Sequence, residues 1–425
     1  MVSSERDRWW NREDWWTVWL GAVIIAGAVL GLVSTIPKLP KWYGNIADAL
    51  PGELVVPLLG LGLGILVLTG AAIWSMEGRV RHYAVGFPFV FLLAVLAYGI
   101  GNHTTMNHYG VNDIIWALIL GMVFSNVFGK PNWLRPALRT ELFIKTGLVL
   151  LGAEILFNRV LTLGVRGLGV AWIGAPLAVI FIYWLGTKVM KIQSKELVAT
   201  VATATSVCGV SAAIATGASV RAKKEEISAA ISISVIFTVI MMVVMPFVIH
   251  AIGLSPGVAG AWIGGTVDST GAVVVAGSMV GQEAMEVAAI VKMLQNALIG
   301  VISFAWALYW VTVVQRGEGS ERPSAAEIWK RFPKFVLGFM GASLVMSFLF
   351  LPGLGQDKVD SILKVTTALR GWLFALAFVT IGLDTKFSEL KATFRGNAPV
   401  KLYLLGQAFN LVASLILAAV FFRNF

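Results

Sequence analysis

Long apolar runs separated by short polar segments make up most of the chain and predict membrane-spanning helices. A helix that crosses a bilayer needs about 20 mainly apolar residues. Runs of this kind predict eleven spans: 17–36, 54–75, 84–100, 114–128, 141–157, 168–187, 227–249, 288–314, 334–351, 367–383 and 399–422. The pattern therefore predicts an all-α polytopic membrane protein.

Two further apolar stretches, 196–221 and 256–281, are interrupted by small polar residues and glycine. Their centres read ATATSVCGVSAAIAT and GGTVDSTGAVVVAG, and they align when Gly209 is placed on Gly271. In lipid, unwound backbone is tolerated only where protein buries it or where it lines a wet cavity. Because broken helices form the binding sites of many transporters, we expect the two breaks to form one site.

The charges that follow the first break bear on how it enters the membrane. Lysine and arginine in the loops favour a cytoplasmic N-terminus. Arg221, Lys223 and Lys224 stay on that side if the stretch dips in and returns, and they lie outside if it crosses completely. The charges favour two re-entrant hairpins that meet from opposite faces, and two broken full crossings remain the alternative.

A second internal similarity favours an inverted-repeat transporter architecture. Gly152-x-Glu154 is followed by Phe157, and Gly382-x-Asp384 is followed by Phe387, in spans predicted to run in opposite directions. Glu154 and Asp384 are therefore candidate ion-coupling residues. Helix-end residues that face water would produce the same pattern.

The predicted domains are an N-terminal extension, residues 1–113, with three spans, and a transporter core, residues 114–425, that contains both broken stretches. The run from Val18 to Ile36 is interpreted as an uncleaved first span. Residues 5–16 either place tryptophans at the membrane interface or form an amphipathic surface helix; the tryptophans are Trp9, Trp10, Trp15 and Trp16. Gln315 to Lys334 is predicted to be a loop.

Composition narrows the function classes. The 425 residues are 57% hydrophobic and 13% charged, which excludes an ordinary soluble protein. The net charge of +10 is explained by basic loops, so no nucleic-acid partner is expected. One cysteine, Cys208, and four scattered histidines predict no metal site and no cofactor, and no phosphate-binding loop for ATP is present. An enzyme that uses Cys208 or Asp268 lacks a paired base, so we do not expect catalysis.

Each break places helix ends inside the membrane. A helix N-terminus carries free N–H groups and a partial positive charge, which suit an anion. Small residues that permit tight helix packing are the alternative explanation. The candidate substrate-binding residues are Thr205, Ser206, Cys208, Gly209, Ser211, Ser269, Thr270, Gly271, Lys292, Gln295 and Asn296.

Two charged residues could give this site its chemistry. A carboxylate at the depth of Asp268 is costly, so we expect it to couple transport to a proton or to Na⁺, unless it is hydrated at a hairpin mouth. Lys292, Gln295 and Asn296 share one helix face and could hold an oxyanion, or Lys292 could pair with Asp268. Alternatively, Lys292 extends to the outer interface, where Glu286 is also placed.

The segments SVCGVSAAIA, GGTVDSTGAVVVAG, LLGAEILF and TIGLDTKF resemble the YeiH-type sulfate exporter family of bacterial inner-membrane proteins, over roughly residues 114–420. The resemblance implies export of sulfate, or of sulfite during organosulfonate breakdown. That family commonly has histidine at Asp268, glutamine at Ala272 and arginine at Gln295. These departures weaken the case for a dianion.

The prediction is a secondary active transporter of a small anion in the bacterial inner membrane, coupled to H⁺ or Na⁺. An anion channel, or a transporter of another small solute, is the alternative. The lipid bilayer is the expected surrounding, and a homo-oligomer is compatible with the sequence.

Overall fold

The computed structural model describes residues 12–108, 112–314, 326–385 and 397–423, and these form helices without a β-sheet. The predicted interface residues Trp9 and Trp10, most of the loop from Gln315, and Phe387 lie outside the described residues. The helices are α1 Glu13–Val29, α2 Gly52–Glu77, α3 Val80–Gly101, α4 Thr104–His108, α5 Asp113–Val127, α6 Thr140–Glu154, α7 Phe157–Val189, α8 Lys195–Ser206, α9 Gly209–Val220, α10 Lys224–Ile252, α11 Pro256–Thr266, α12 Thr270–Val280, α13 Gln282–Val314, α14 Ala326–Arg331, α15 Lys334–Leu354, α16 Gln356–Asp384 and α17 Asn397–Phe422.

Each of the eleven predicted spans corresponds to one of these helices, which confirms an all-α polytopic membrane protein. Within the described ranges, eight helices are long and apolar enough to cross a membrane: α2, α3, α7, α10, α13, α15, α16 and α17. The other three, α1, α5 and α6, have 17, 15 and 15 residues. Helix α1 ends before the predicted Ile36 because Gly31 adopts a positive φ of 70°, a common helix stop.

The helices form two compact units. The first unit comprises Met1–Phe157 and Lys334–Lys386, and the second comprises Asn158–Pro333 and Phe387–Phe425. Each unit is therefore built from two separate parts of the chain. The sequence division at residue 113 stays a prediction.

In the first unit, glycines allow helices to pack closely, as is common in membranes. A Cβ atom on Gly152 would collide with the backbone of Phe339 in α15. Glu154, the last residue of α6, accepts from Arg370 Nε at 2.7 Å. Asp384, the last residue of α16, pairs with Lys130.

These two ion pairs give both acidic residues a structural role. A negative charge at the C-terminal end of a helix is unfavourable, and a cation beside it offsets that effect. The role of Glu154 and Asp384 in ion coupling stays a prediction.

In the second unit, α8 and α9 form a hairpin, called hairpin 1. Each arm has 12 residues, so the two arms in one line would extend over about 36 Å. Ser194, directly before α8, instead donates its hydroxyl to Glu226 in α10 at 2.6 Å. The segment from Val220 to Glu226 spans at most about 20 Å. The chain therefore reverses direction at the break, as a stretch that enters the membrane and returns would.

Helices α11 and α12 form a second hairpin, called hairpin 2. His250 Nε2, near the end of α10, lies 3.5 Å from the carbonyl oxygen of Met279, near the end of α12. Since α11 begins just after α10 ends, both ends of hairpin 2 lie at this end of α10. Hairpin 1 opens at the start of α10, which has 29 residues and extends over about 43 Å. The two hairpins therefore enter from opposite ends.

The second unit thus contains two copies of one motif, a hairpin followed by a long helix, and the two copies run in opposite directions. Hairpin 1 leads into α10, and hairpin 2 leads into α13, which starts where α10 ends. Helix α13 packs against α9, α11 and α12, and α17 packs against α8 and α11. Each of these two helices therefore contacts both hairpins.

Candidate functional site

The tips of the two hairpins meet inside the second unit. The N–H of Gly209, the first residue of α9, donates to the carbonyl of Asp268 in the other tip at 2.8 Å. Val207 and Cys208 form the break of hairpin 1, and residues 267–269 form that of hairpin 2. The expectation that the two breaks form one place in the fold therefore agrees with the structure.

The breaks depend on extended backbone and not on flexible glycine. The N-cap residues Cys208 and Ser269 have φ of −157° and −127°. Neither Gly209 nor Gly271 has a positive φ. Gly209 is needed for space, because a Cβ atom there would collide with the Ser234 hydroxyl.

The register between the two hairpins differs slightly from the sequence alignment. Pairing the two N-caps, Cys208 with Ser269, also pairs the helix starts Gly209 and Thr270. The alignment of Gly209 with Gly271 is therefore one residue out. The break also has one more residue in hairpin 2 than in hairpin 1, so the helices before and after it pair at different offsets.

Side chains of α13 bind the carbonyl groups at the C-terminal end of α8. Lys292 Nζ donates to Val207 O at 2.5 Å and to Gln295 Oε1 at 2.7 Å. Gln295 Nε2 donates to Ser206 O at 2.8 Å and, across to hairpin 2, to Gly265 O at 3.2 Å. Lys292 is 1% exposed, so it does not extend to the membrane surface.

A stripe of polar side chains on α17 completes this capping. Gln407 Nε2 donates to Thr266 O at 3.0 Å, Asn410 Nδ2 to Thr205 O at 3.3 Å, and Ser414 Oγ to Gly265 O at 3.2 Å. We did not predict these residues from the sequence. Their spacing was the available signal, because 403, 407, 410 and 414 share one face of an otherwise apolar helix.

The N-terminal ends of α9 and α12 at the same tips have no such caps. Neither N-cap residue, Cys208 or Ser269, makes a side-chain hydrogen bond to the first turn of its helix. Cys208, Val210, Ser211 and Ser269 are also partly exposed, whereas the residues around them are mostly buried. Apart from the Gly209 N–H, which donates to Asp268 O, the first N–H groups of these helices receive no cap from the N-cap side chain, and they carry partial positive charge beside partly exposed residues.

Asp268 lies within the tip of hairpin 2 and is 2% exposed. Its Oδ2 accepts from Ser234 Oγ at 3.1 Å and from the Tyr403 hydroxyl. Among the described residues, Lys292 binds a carbonyl and an amide and forms no ion pair with Asp268. Of the alternatives for Lys292, direct pairing with Asp268 is therefore not the arrangement in this structure. A buried carboxylate of this kind is stabilised by its hydroxyl donors.

The predicted hydroxyl groups differ in whether they donate or accept the hydrogen bond that they form. Thr205 and Ser206 are buried and donate to their own helix, to Val201 O at 2.8 Å and Ala202 O at 2.7 Å. Their protons are therefore not available to a ligand. Thr270 Oγ1 accepts from Asn296 Nδ2 at 2.8 Å.

The structure brings the predicted substrate-binding residues and Asp268 together in the second unit, on the hairpin tips and the adjoining part of α13. Glu154 and Asp384 belong to the first unit. No group of three or more histidine, cysteine or acidic residues that could hold a metal ion occurs in the described part of the chain.

Comparisons with known proteins show that the sequence is similar to those of bacterial membrane proteins. A family model described as conserved hypothetical protein 698 matches residues 85–397. A UPF0324 membrane protein of Rhodopirellula baltica is 47% identical, over 91% of this chain and 72% of the relative. One from Nitratidesulfovibrio vulgaris is 44% identical, over 91% and 69%. One from Nitrosomonas europaea is 29% identical, over 92% of each chain. No solved structure matches the chain.

Proposed function

Within the UPF0324 family of membrane proteins, to which this chain belongs, we propose that the protein is a secondary active transporter that exports a small anion. The anion is sulfate, sulfite or a related oxyanion or organic anion, and the membrane is the bacterial inner membrane. The site is formed by the facing tips of hairpins 1 and 2.

The observation that carries this proposal is a difference between the helix ends at the tips: side chains bind the C-terminal carbonyls but do not cap the N-terminal ends. Side chains of α13 and α17 occupy the carbonyls of α8 and α11. The N-terminal ends of α9 and α12 receive no side-chain cap. Uncapped N-termini of half-helices bind anionic groups of substrates in transporters.

The charge near the tips also suits an anion. An ammonium group has three donors, and Lys292 uses two of them on Val207 and Gln295. In this proposal the third donor binds the oxyanion. With one buried lysine and one buried aspartate, the site favours an anion of low charge, or an anion that moves with a cation.

The opposed entry of the hairpins supports alternating access. Each hairpin reaches the site from a different end of α10. Inverted repeats with a site at their interface are typical of secondary transporters. Coupling to H⁺ or Na⁺ drives the export.

Transport by the purified protein in proteoliposomes tests this proposal. Uptake of labelled sulfate and sulfite would be measured with an imposed proton or Na⁺ gradient. We expect saturable uptake that exceeds empty liposomes. Background flux for all anions under both gradients would contradict the proposal, and currents of channel magnitude would favour an anion channel.

Two lysine variants link the flux to the tips. Lys292→Met should weaken anion affinity about tenfold or more, because a charged hydrogen-bond donor is lost. Lys145→Met is the control, since Lys145 lies in α6 of the first unit and pairs with Asp14 at 2.7 Å. The assignment fails if Lys145→Met weakens affinity more than Lys292→Met.

A further inference from the structure

Two buried oxygen atoms near the tip of hairpin 2 have no hydrogen-bond partner within the described ranges. They are Thr266 Oγ1, at the end of α11, and Gln407 Oε1, on α17. Thr266 is 1% exposed and Gln407 is 5% exposed. A buried acceptor without a donor is energetically unfavourable, so such atoms in a folded protein need an explanation.

The orientation of the Gln407 amide is set by its neighbours. Nε2 donates to Thr266 O at 3.0 Å and contacts Met241 Sδ at 2.9 Å. A backbone carbonyl only accepts, so the NH₂ group must face it. Oε1 is therefore an acceptor that points away from this bond, and turning the amide over would break it.

Asp268 adds a third oxygen on the other side of the break. Both of its hydrogen bonds, from Ser234 and Tyr403, go to Oδ2, which leaves Oδ1 without one among the described residues. Tyr403 lies one turn before Gln407 on α17, and Thr266 is separated from Asp268 only by Val267. The same two elements therefore position all three oxygens.

These groups share one chemistry. Gln407 Oε1 and Asp268 Oδ1 can only accept or coordinate, and they lie at the C-terminal end of α11, where the helix dipole is negative. Such a place repels an anion and attracts a cation. In transporters, unwound backbone and the C-terminal ends of half-helices coordinate Na⁺.

We propose that Thr266 Oγ1, Gln407 Oε1 and Asp268 Oδ1 bind a Na⁺ ion beside the anion site. The inference rests on the proposed function, for which this ion is the coupling ion. A single carboxylate suits a monovalent cation, because divalent cations such as Ca²⁺ are held by several oxygen ligands that include more carboxylates. The two ligands have separate places: the anion lies at the N-terminal ends of α9 and α12, and the cation lies at the C-terminal end of α11.

Thermal unfolding of the purified protein tests cation binding without requiring transport. The Tm of the wild-type protein would be measured in choline chloride, with NaCl or KCl added at constant ionic strength. We expect Tm to rise with Na⁺ in a saturable way, because a ligand that binds only the folded state stabilises it. K⁺ should have a much weaker effect. An equal response to choline, K⁺ and Na⁺ would overturn the inference.

Two threonine variants locate the site. Thr266→Val removes the hydroxyl with little change of shape, and it should raise the apparent Kd for Na⁺ about tenfold. Thr146→Val is the matched control, because Thr146 in α6 is also 1% exposed and its hydroxyl also lacks a partner in the described structure. Equal Na⁺ affinity in Thr266→Val and Thr146→Val would contradict the site.

If Thr266→Val does not fold, Asp268→Asn provides the second variant, and the wild-type comparison of Na⁺ with K⁺ stands without any variant. The anion is tested separately, as a rise in Tm with sulfite or sulfate. An anion response without a Na⁺ response overturns the cation site alone. Loss of both responses, together with background flux, overturns the proposed function as well.

Discussion

At the scale of single residues, the hairpin tips combine satisfied carbonyls with uncapped N–H groups. Lys292 illustrates the first class, because its ammonium donates to Val207 O, 85 positions away in the chain, at 2.5 Å. Cys208 belongs to the second, since it precedes α9 without capping it and is partly exposed. A ligand at the tips would therefore lie beside the only cysteine of the chain.

Protection of Cys208 from a thiol reagent is the prediction at this scale. A small charged methanethiosulfonate should modify Cys208 in the purified protein, and the transported anion should slow the reaction several-fold by occupying the tips. Mass spectrometry of the intact protein measures the rate. Cys208→Ala is the control and should remain unmodified. A rate that is unchanged by saturating anion would place the ligand elsewhere.

At the scale of elements, the polar stripe of α17, formed by Gln407, Asn410 and Ser414, donates hydrogen bonds to backbone carbonyls of both hairpins. Asn410 is 1% exposed and reaches Thr205 O in hairpin 1 at 3.3 Å and Gly265 O in hairpin 2 at 3.5 Å. Broken helices leave carbonyls without intrahelical partners, and lipid cannot replace those partners. The broken helices therefore depend on the hydrogen bonds from this polar stripe.

Replacing one residue of this polar stripe should destabilise the fold. Asn410→Leu preserves side-chain size but leaves buried carbonyls with fewer donors, and we expect a loss of about 1–3 kcal/mol in the free energy of unfolding. Val412→Leu on the same helix is the control, because Val412 is 60% exposed. The measurement is Tm in detergent. Indistinguishable Tm values for the two variants would show that the polar stripe does not contribute to the stability of the fold.

At the scale of the whole molecule, the two repeated hairpin–helix units require the ends of α10 to lie on opposite faces of the membrane. Lys223 precedes α10 beside the mouth of hairpin 1, and Gln282 follows hairpin 2. With two re-entrant hairpins these residues face opposite sides. With two full crossings they would face the same side.

Sided labelling distinguishes the two topologies. In the Cys208→Ala background, Lys223→Cys and Gln282→Cys introduce single thiols at exposed positions. A membrane-impermeant maleimide should label one variant in intact cells and the other only in inverted vesicles. The Cys208→Ala protein reports the background. Labelling of both from the same side would reject the hairpins.

Local patterns in the sequence determined much of this protein. Hydropathy located eleven helices, eight of which are long and apolar enough to cross a membrane, because the length and apolarity of such a helix are properties of one segment. Glycine and small polar residues located both breaks, since an apolar run that contains them cannot continue as an ordinary lipid-facing helix. The triplet Lys292, Gln295 and Asn296 was found because helical periodicity places these residues on one face.

Only the tertiary structure decided what each polar group contacts. Tyr403 donates to Asp268 across 135 positions, and Gln407 orients its amide on Thr266 across 141. The sequence predicted an ion-coupling role for Glu154, and only the structure shows that Glu154 pairs with Arg370 within the first unit. The composition of a segment determines whether it can enter the membrane. The partner of a buried hydrogen-bonding group instead depends on which distant segments pack beside it, and this requires the whole fold.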